Sequence, residues 1–170
     1  MKNKHFISLL LGLSLLSTGG FAQIITGTYA IKNVKTGLLL RPEEARKANG
    51  TAIVGYSPVN WKCMTWDFQH AGDDAYQLKN LFTSKTLQPE NGTPASGVKL
   101  QQQPLQASQA NQTFDFLSVG QGTYRIRLKG TDLYLTPSDG SGTVNSAIIL
   151  AKKHESPDQL WTIYKQDPTM

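Results

Sequence analysis

Thr123-Tyr124-Arg125-Ile126-Arg127-Leu128, then Leu133-Tyr134-Leu135-Thr136-Pro137, Ala147-Ile148-Ile149-Leu150 and Gln159-Leu160-Trp161-Thr162-Ile163, is a pattern written three times in the chain. Moved back by about 47 or 48 residues it overlays Ala75 to Phe116, and moved back again it overlays Thr28 to Phe68. Tyr29, Tyr76 and Tyr124 fall in register, as do Ile31, Leu78 and Ile126. Leu40-Arg41-Pro42, Leu87-Gln88-Pro89 and Leu135-Thr136-Pro137 align without a gap, and Trp66, Phe114 and Trp161 close the three units. A fixed period of this length governs every other reading of the chain.

Each unit holds four short apolar runs. In the first unit they are Thr28–Asn33, Leu38–Arg41, Ala52–Tyr56 and Thr65–His70. The second has Tyr76–Leu81, Thr86–Gln88, Val98–Gln103 and Thr113–Leu117, and the third has Thr123–Leu128, Leu133–Thr136, Ala147–Lys152 and Leu160–Lys165. Tyr124, Ile126 and Leu128 alternate with Arg125 and Arg127, the period of two of a half-buried strand. Lys35-Thr36-Gly37, Glu90-Asn91-Gly92 and Asp139-Gly140-Ser141-Gly142 between the runs are turn chemistry. Ala45 to Asn49 and Pro104 to Ala110 each have room for a single helical turn. Twelve short strands in three equal sets gain most by closing on themselves, which removes exposed sheet edges. The expectation is an all-β protein, a β-trefoil of three pseudo-symmetric repeats at about 27–72, 73–120 and 121–166.

Residues 1 to 22 read as a secretory signal peptide. Lys2 and Lys4 start it, Phe6 to Leu16 is an apolar run broken only by serine and glycine, and Gly20 and Ala22 flank a cut after Ala22. That run is too short to span a bilayer. One domain, residues 23 to 170, is therefore expected to be secreted or periplasmic and not membrane-spanning. Without the leader's two lysines the formal charge falls from +5 to +3, and the remaining basic residues are scattered. A nucleic-acid partner would need them clustered. Cys63 is the single cysteine, so no internal disulfide is available, and it reads as a buried apolar position beside Met64.

Trp66, Phe114 and Trp161 each precede a second apolar residue at i+2, which marks them as core rather than sugar-stacking platforms. Catalysis has little to stand on. His70 and His154 have no Ser or Cys at a recognisable spacing, Glu43-Glu44 and Asp73-Asp74 are adjacent loop residues, and no His or Cys cluster has metal-ligand spacing. The chain reads as a binding protein without cofactor or metal.

Gln159-Leu160-Trp161 resembles the Gln-x-Trp signature of ricin B-type lectin modules, with Gln112-Thr113-Phe114 and Met64-Thr65-Trp66 as weakened versions. The resemblance extends from about Gly27 to Tyr164 and implies a β-trefoil whose repeats can each hold a shallow sugar pocket. Such a pocket uses an Asp after the second strand's Leu, an aromatic near the end of the third strand, and an Asn before Gln-x-Trp. Here the Asp position holds Arg41, Gln88 and Thr136. The aromatic position holds Val54, Gln101 and Ile149, with Tyr56 two residues further on in the first unit. The Asn position holds Cys63, Asn111 and Asp158. No set is complete. The second keeps the largest polar complement, Gln88, Gln101, Gln103 and Asn111, while the first offers the aromatics Tyr56 and Trp61 in a Pro/Asn loop. Two functions follow: weak recognition of glycans or polysaccharide by a non-catalytic module, or recognition of a protein partner, as a protease inhibitor presenting one loop.

Overall fold

Several strands alternate buried with more exposed side chains, while the second and tenth are buried throughout, and several end at a proline that removes the next ladder bond. The computed structural model describes residues 24 to 170, so the signal-peptide expectation lies outside the described residues. The strands are β1 Gly27–Asn33, β2 Leu39–Pro42, β3 Ile53–Tyr56, β4 Trp66–His70, β5 Ala75–Asn80 and β6 Lys85–Pro89. They continue as β7 Leu100–Pro104, β8 Phe114–Gly120, β9 Thr123–Leu128, β10 Leu133–Pro137, β11 Ile148–Lys152 and β12 Trp161–Lys165. The architecture is all-β and trefoil-like. β1, β4, β5, β8, β9 and β12 pair antiparallel in that order, and β12 pairs back to β1, so six strands close a barrel. The hairpins β2–β3, β6–β7 and β10–β11 lie outside this ring. They touch one another through single bridges, Ala52 with Gln101, Val54 with Ala147 and Lys99 with Ile149.

The single helical turns expected at Ala45–Asn49 and Pro104–Ala110 fall elsewhere. Short 3-10 turns occupy Glu43–Ala45 and Glu90–Gly92, where Pro42 and Pro89 end β2 and β6 without an N–H to extend the ladder. Three more, Lys62–Met64, Ala110–Gln112 and Pro157–Gln159, stand just before β4, β8 and β12.

Two aromatic layers fill the barrel. Trp66 and Phe114 are 0% exposed and Trp161 is 1% exposed. Burial of each such side chain stabilises by roughly 1.5–3 kcal/mol. The indole N–H of Trp66 donates to Leu40 O and that of Trp161 to Leu135 O, both at 3.1 Å, which ties the ring to β2 and β10. Phe114 has no N–H to do the same for β6, and β6–β7 is the hairpin that forms a separate two-stranded sheet. The second layer is Tyr29, Phe68, Tyr76, Phe116 and Tyr124, packed edge to face with centroids 5.0 to 5.8 Å apart. Two of its three hydroxyls find partners. Ile25 N–H donates to the Tyr76 hydroxyl at 3.0 Å, and the Tyr29 hydroxyl donates to Thr26 O at 3.3 Å. Cys63 is buried beside Met64, as expected, and burial pushes its thiol up despite the opposing charge of Arg41.

Candidate functional site

The three hairpins bring the expected pocket positions together in pairs. Arg41 stands opposite Val54, Gln88 opposite Gln101 and Thr136 opposite Ile149, each across one ladder rung. What differs is how each pair is held.

At the second hairpin, Gln112 is the organising residue. Its amide donates to Gln88 Oε1 at 2.8 Å and to Pro104 O at 3.0 Å, and its Oε1 accepts from Gln106 N–H at 2.8 Å. Gln88 keeps its amide N–H donors uncommitted among the described residues. Asn111 donates to Gly92 O at 3.2 Å, and its Oδ1 is buried without a partner. Gly92 carries φ +71°, and a Cβ there would stand 3.7 Å from Asn111 Nδ2, so the turn passes close over that amide. Gln101 Oε1 lies close to Gly50 of the neighbouring β2–β3 connection, where a Cβ would stand 3.6 Å from it. Gln103, opposite Thr86, is half-buried. Gln88 and Asn111 are thus held separately, Gln88 by Gln112 and Asn111 by Gly92, while Gln101 lies close to the β2–β3 connection.

At the first hairpin the two aromatics are not free. Tyr56 and Trp61 pack, half-buried, on a cluster of Ala30, Leu39, Cys63 and Met64. The Arg41 guanidinium lies 3.4 Å from the Tyr56 ring centroid, so one face of that ring is already covered. Nothing in the alternation of β2 and β3 signalled this stack.

The third hairpin repeats the glutamine tie. Gln159 donates to Thr136 Oγ1 at 3.1 Å and to Lys152 O at 2.9 Å, and accepts from His154 N–H at 3.0 Å. Asp158 lies 4.0 Å from Lys35 and 3.7 Å from His154 Nδ1. Hydrogen bonds from the Thr143 and Ser141 hydroxyls, and from Ser141 N–H, hold the Asp139 carboxyl down to about 2. The glutamine of Gln-x-Trp is thus a brace for the hairpin. At the first hairpin Met64 takes that step, fully buried.

Two more braces were missed in the sequence. Asn33 donates to Asp158 O and Leu160 O, and its Oδ1 accepts from Lys35 N–H, Thr36 N–H and the Thr36 hydroxyl. Asn80 does the equivalent with Cys63 O, Phe82 N–H and Thr83 N–H. The signal that would have found them is Asn-x-x-Thr, present at Asn33–Thr36 and Asn80–Thr83. Among the described residues no three His, Cys, Asp or Glu side chains gather as a metal-ligand set, and no helix is long and apolar enough to cross a membrane.

A family model described as "Ricin-type beta-trefoil lectin domain-like" matches residues 21–103 and, in a second overlapping alignment, 62–152. Among solved structures, the designed threefold-symmetric protein ThreeFoil superposes with a TM-score of 0.77 at 22% identity, covering 82% of this chain and 99% of its own. The Rhizoctonia solani agglutinin superposes at 0.75 and 19% identity, covering 85% and 99%. The Macrolepiota procera ricin B-like lectin, solved with lactose, superposes at 0.68 and 27% identity, also covering 85% and 99%. Among curated protein sequences none matches this one.

Proposed function

The chain belongs to the ricin-type β-trefoil lectin domain-like family, and from that premise we propose that it is a carbohydrate-binding module without catalysis of its own. The observation that carries the reading is the register. Three hairpins present aligned residue pairs at the positions where the resembling lectins hold sugar, and one pair is entirely polar. The barrel and its hairpins are read as three pseudo-symmetric repeats, which the recurring indole, glutamine and asparagine bonds support. The protease-inhibitor alternative gains no support from them.

The neutral-sugar site is assigned to the second hairpin, on Gln88, Gln101 and Asn111, with Gln103 alongside. Amides both donate and accept, as sugar hydroxyls do. Each neutral bond contributes about 0.5–1.5 kcal/mol net. Monovalent affinity is therefore expected on the order of millimolar, with little dependence on salt because no formal charge is invoked. Chemical-shift titration with a panel of neutral mono- and disaccharides should move the signals of Gln88 and Asn111, and Asn111→Ala should weaken binding by about two- to tenfold. Silence at the second hairpin across the whole panel sinks the assignment.

Export belongs to the same reading, since a glycan-binding module acts where glycans are displayed. Cleavage after Ala22 is proposed from the layout of residues 1 to 22. The intact mass of the exported protein should begin at Gln23, and a species retaining Lys2 would remove the claim.

A further inference from the structure

We propose that the first hairpin carries a second site, built on Arg41, for the acid group of an anionic sugar, a uronic acid or a sulfated one. The proposal rests on the carbohydrate-binding reading but not on the second-hairpin site.

Arg41 is 6% exposed. A guanidinium buried so deeply is ordinarily paired with a carboxylate. Here, among the described residues, no carboxylate forms an ion pair with it. Glu43 and Glu44, next along the chain, both engage Arg46 instead. The buried Arg41 Nε has no hydrogen-bond partner, and Nη2 donates to the neutral Asn145 Oδ1 at 3.2 Å. Stacking on Tyr56 offsets part of the desolvation, as a cation over an aromatic face does. What is left over is an edge of N–H donors whose planar fork matches the two oxygens of a carboxylate or sulfate.

The surroundings suit an acidic sugar. Tyr56 and Trp61 pack on Cys63 in one cluster, and Trp61 and Cys63 also line a cavity of about 350 Å³ with Ala45, Lys62, Phe82 and the C-terminal Met170, a space that adjoins this cluster without being lined by Arg41 or Tyr56. That space offers apolar walls to a sugar ring. Lys47 places its ammonium 4.4 Å from the Phe82 ring centroid, and among the described residues neither Lys47 nor Lys62 has an ion pair. Asn145 is exposed, with φ +66°, on the connection between β10 and β11. Its carbonyl oxygen occupies the position that an anionic oxygen would take over. A guanidinium at this slot attracts an acid group.

The test titrates the purified protein with methyl glucuronide and, separately, methyl glucoside, following Tyr56 and Trp61 by chemical shift. Glucuronide alone should move them, and its binding should weaken at least severalfold between about 20 and about 200 mM salt. Arg41→Gln should lower glucuronide affinity about tenfold or more and leave the neutral-sugar shifts at Gln88 and Asn111 unaltered. Asn145→Gly keeps the left-handed backbone and removes the competing acceptor, so glucuronide should bind about two- to tenfold more tightly. If Arg41→Gln does not fold, the salt series and Asn145→Gly decide. Equal responses to the two sugars, an inert Arg41→Gln, or an Asn145→Gly that fails to tighten binding overturns the proposal. Inorganic sulfate acting as strongly as glucuronide overturns the sugar assignment. Glucuronide binding with a silent second hairpin would defeat the neutral-sugar site and leave this one standing.

Discussion

Replacing Trp161 by alanine is expected to lower the free energy of unfolding by about 3–5 kcal/mol. The side chain is 1% exposed in the layer shared with Trp66 and Phe114, so its removal leaves a cavity that the surrounding strands can only partly fill. It also deprives Leu135 O of its indole donor and so loosens β10 from the barrel. A loss of this size is a large share of a small domain's net stability. Trp161→Phe imitates the natural Phe114 and should cost far less, chiefly the hydrogen bond, about 1 kcal/mol. The measurement is a denaturant titration of both variants. A loss below about 1 kcal/mol for the alanine variant would take Trp161 out of the core and remove the anchor of the repeat alignment.

Asn33→Leu should be the next most damaging change, at about 2–4 kcal/mol, although leucine nearly matches asparagine in size. The cost comes from what is left behind. Asp158 O loses its amide donor, and the Lys35 and Thr36 N–H groups lose their shared acceptor, in a position 1% exposed. A buried polar group stripped of its partner costs about 1–3 kcal/mol. At the corresponding step the third unit already has Leu128, and its turn is closed differently, by the Thr131 hydroxyl and N–H donating to Leu128 O. Context rather than residue type therefore sets the cost. Equilibrium unfolding of Asn33→Leu within about 0.5 kcal/mol of the parent would mean that solvent satisfies the turn.

Legibility followed the range of the interaction. Strand positions depend on alternation over a few residues, and all twelve strands lie within a few residues of where the period and pattern place them. Pairing of Gln88 with Gln101 was likewise implicit, because matched strands of one hairpin put equivalent positions across from each other. The short turns were misplaced because two of them follow a proline that interrupts a ladder and the other three lead into a barrel strand, and none depends on a helical stripe. Side-chain direction was legible in the core, where Trp66, Phe114, Trp161 and Cys63 are buried as expected, but not on the hairpins. Gln101 turns toward Gly50, and Arg41 folds onto Tyr56 and bonds Asn145 from another hairpin. Such contacts are chosen by packing between distant segments, which leaves no local periodicity.

The join between β1 and β12 has a consequence for how the chain reaches this state. Tyr29 meets Lys165 and Asn33 meets Trp161, so the first strand of the barrel waits for the last. A polypeptide emerging N-terminus first, from a ribosome or through an export pore, offers β4 to one side of β1 early but leaves the other side bare. Closing so long a loop carries a large entropic cost, and non-local β pairing of this kind folds slowly. During that delay a bare strand edge is a template for the wrong partner, including another nascent chain. The interval before β12 arrives is thus when that edge stands most exposed.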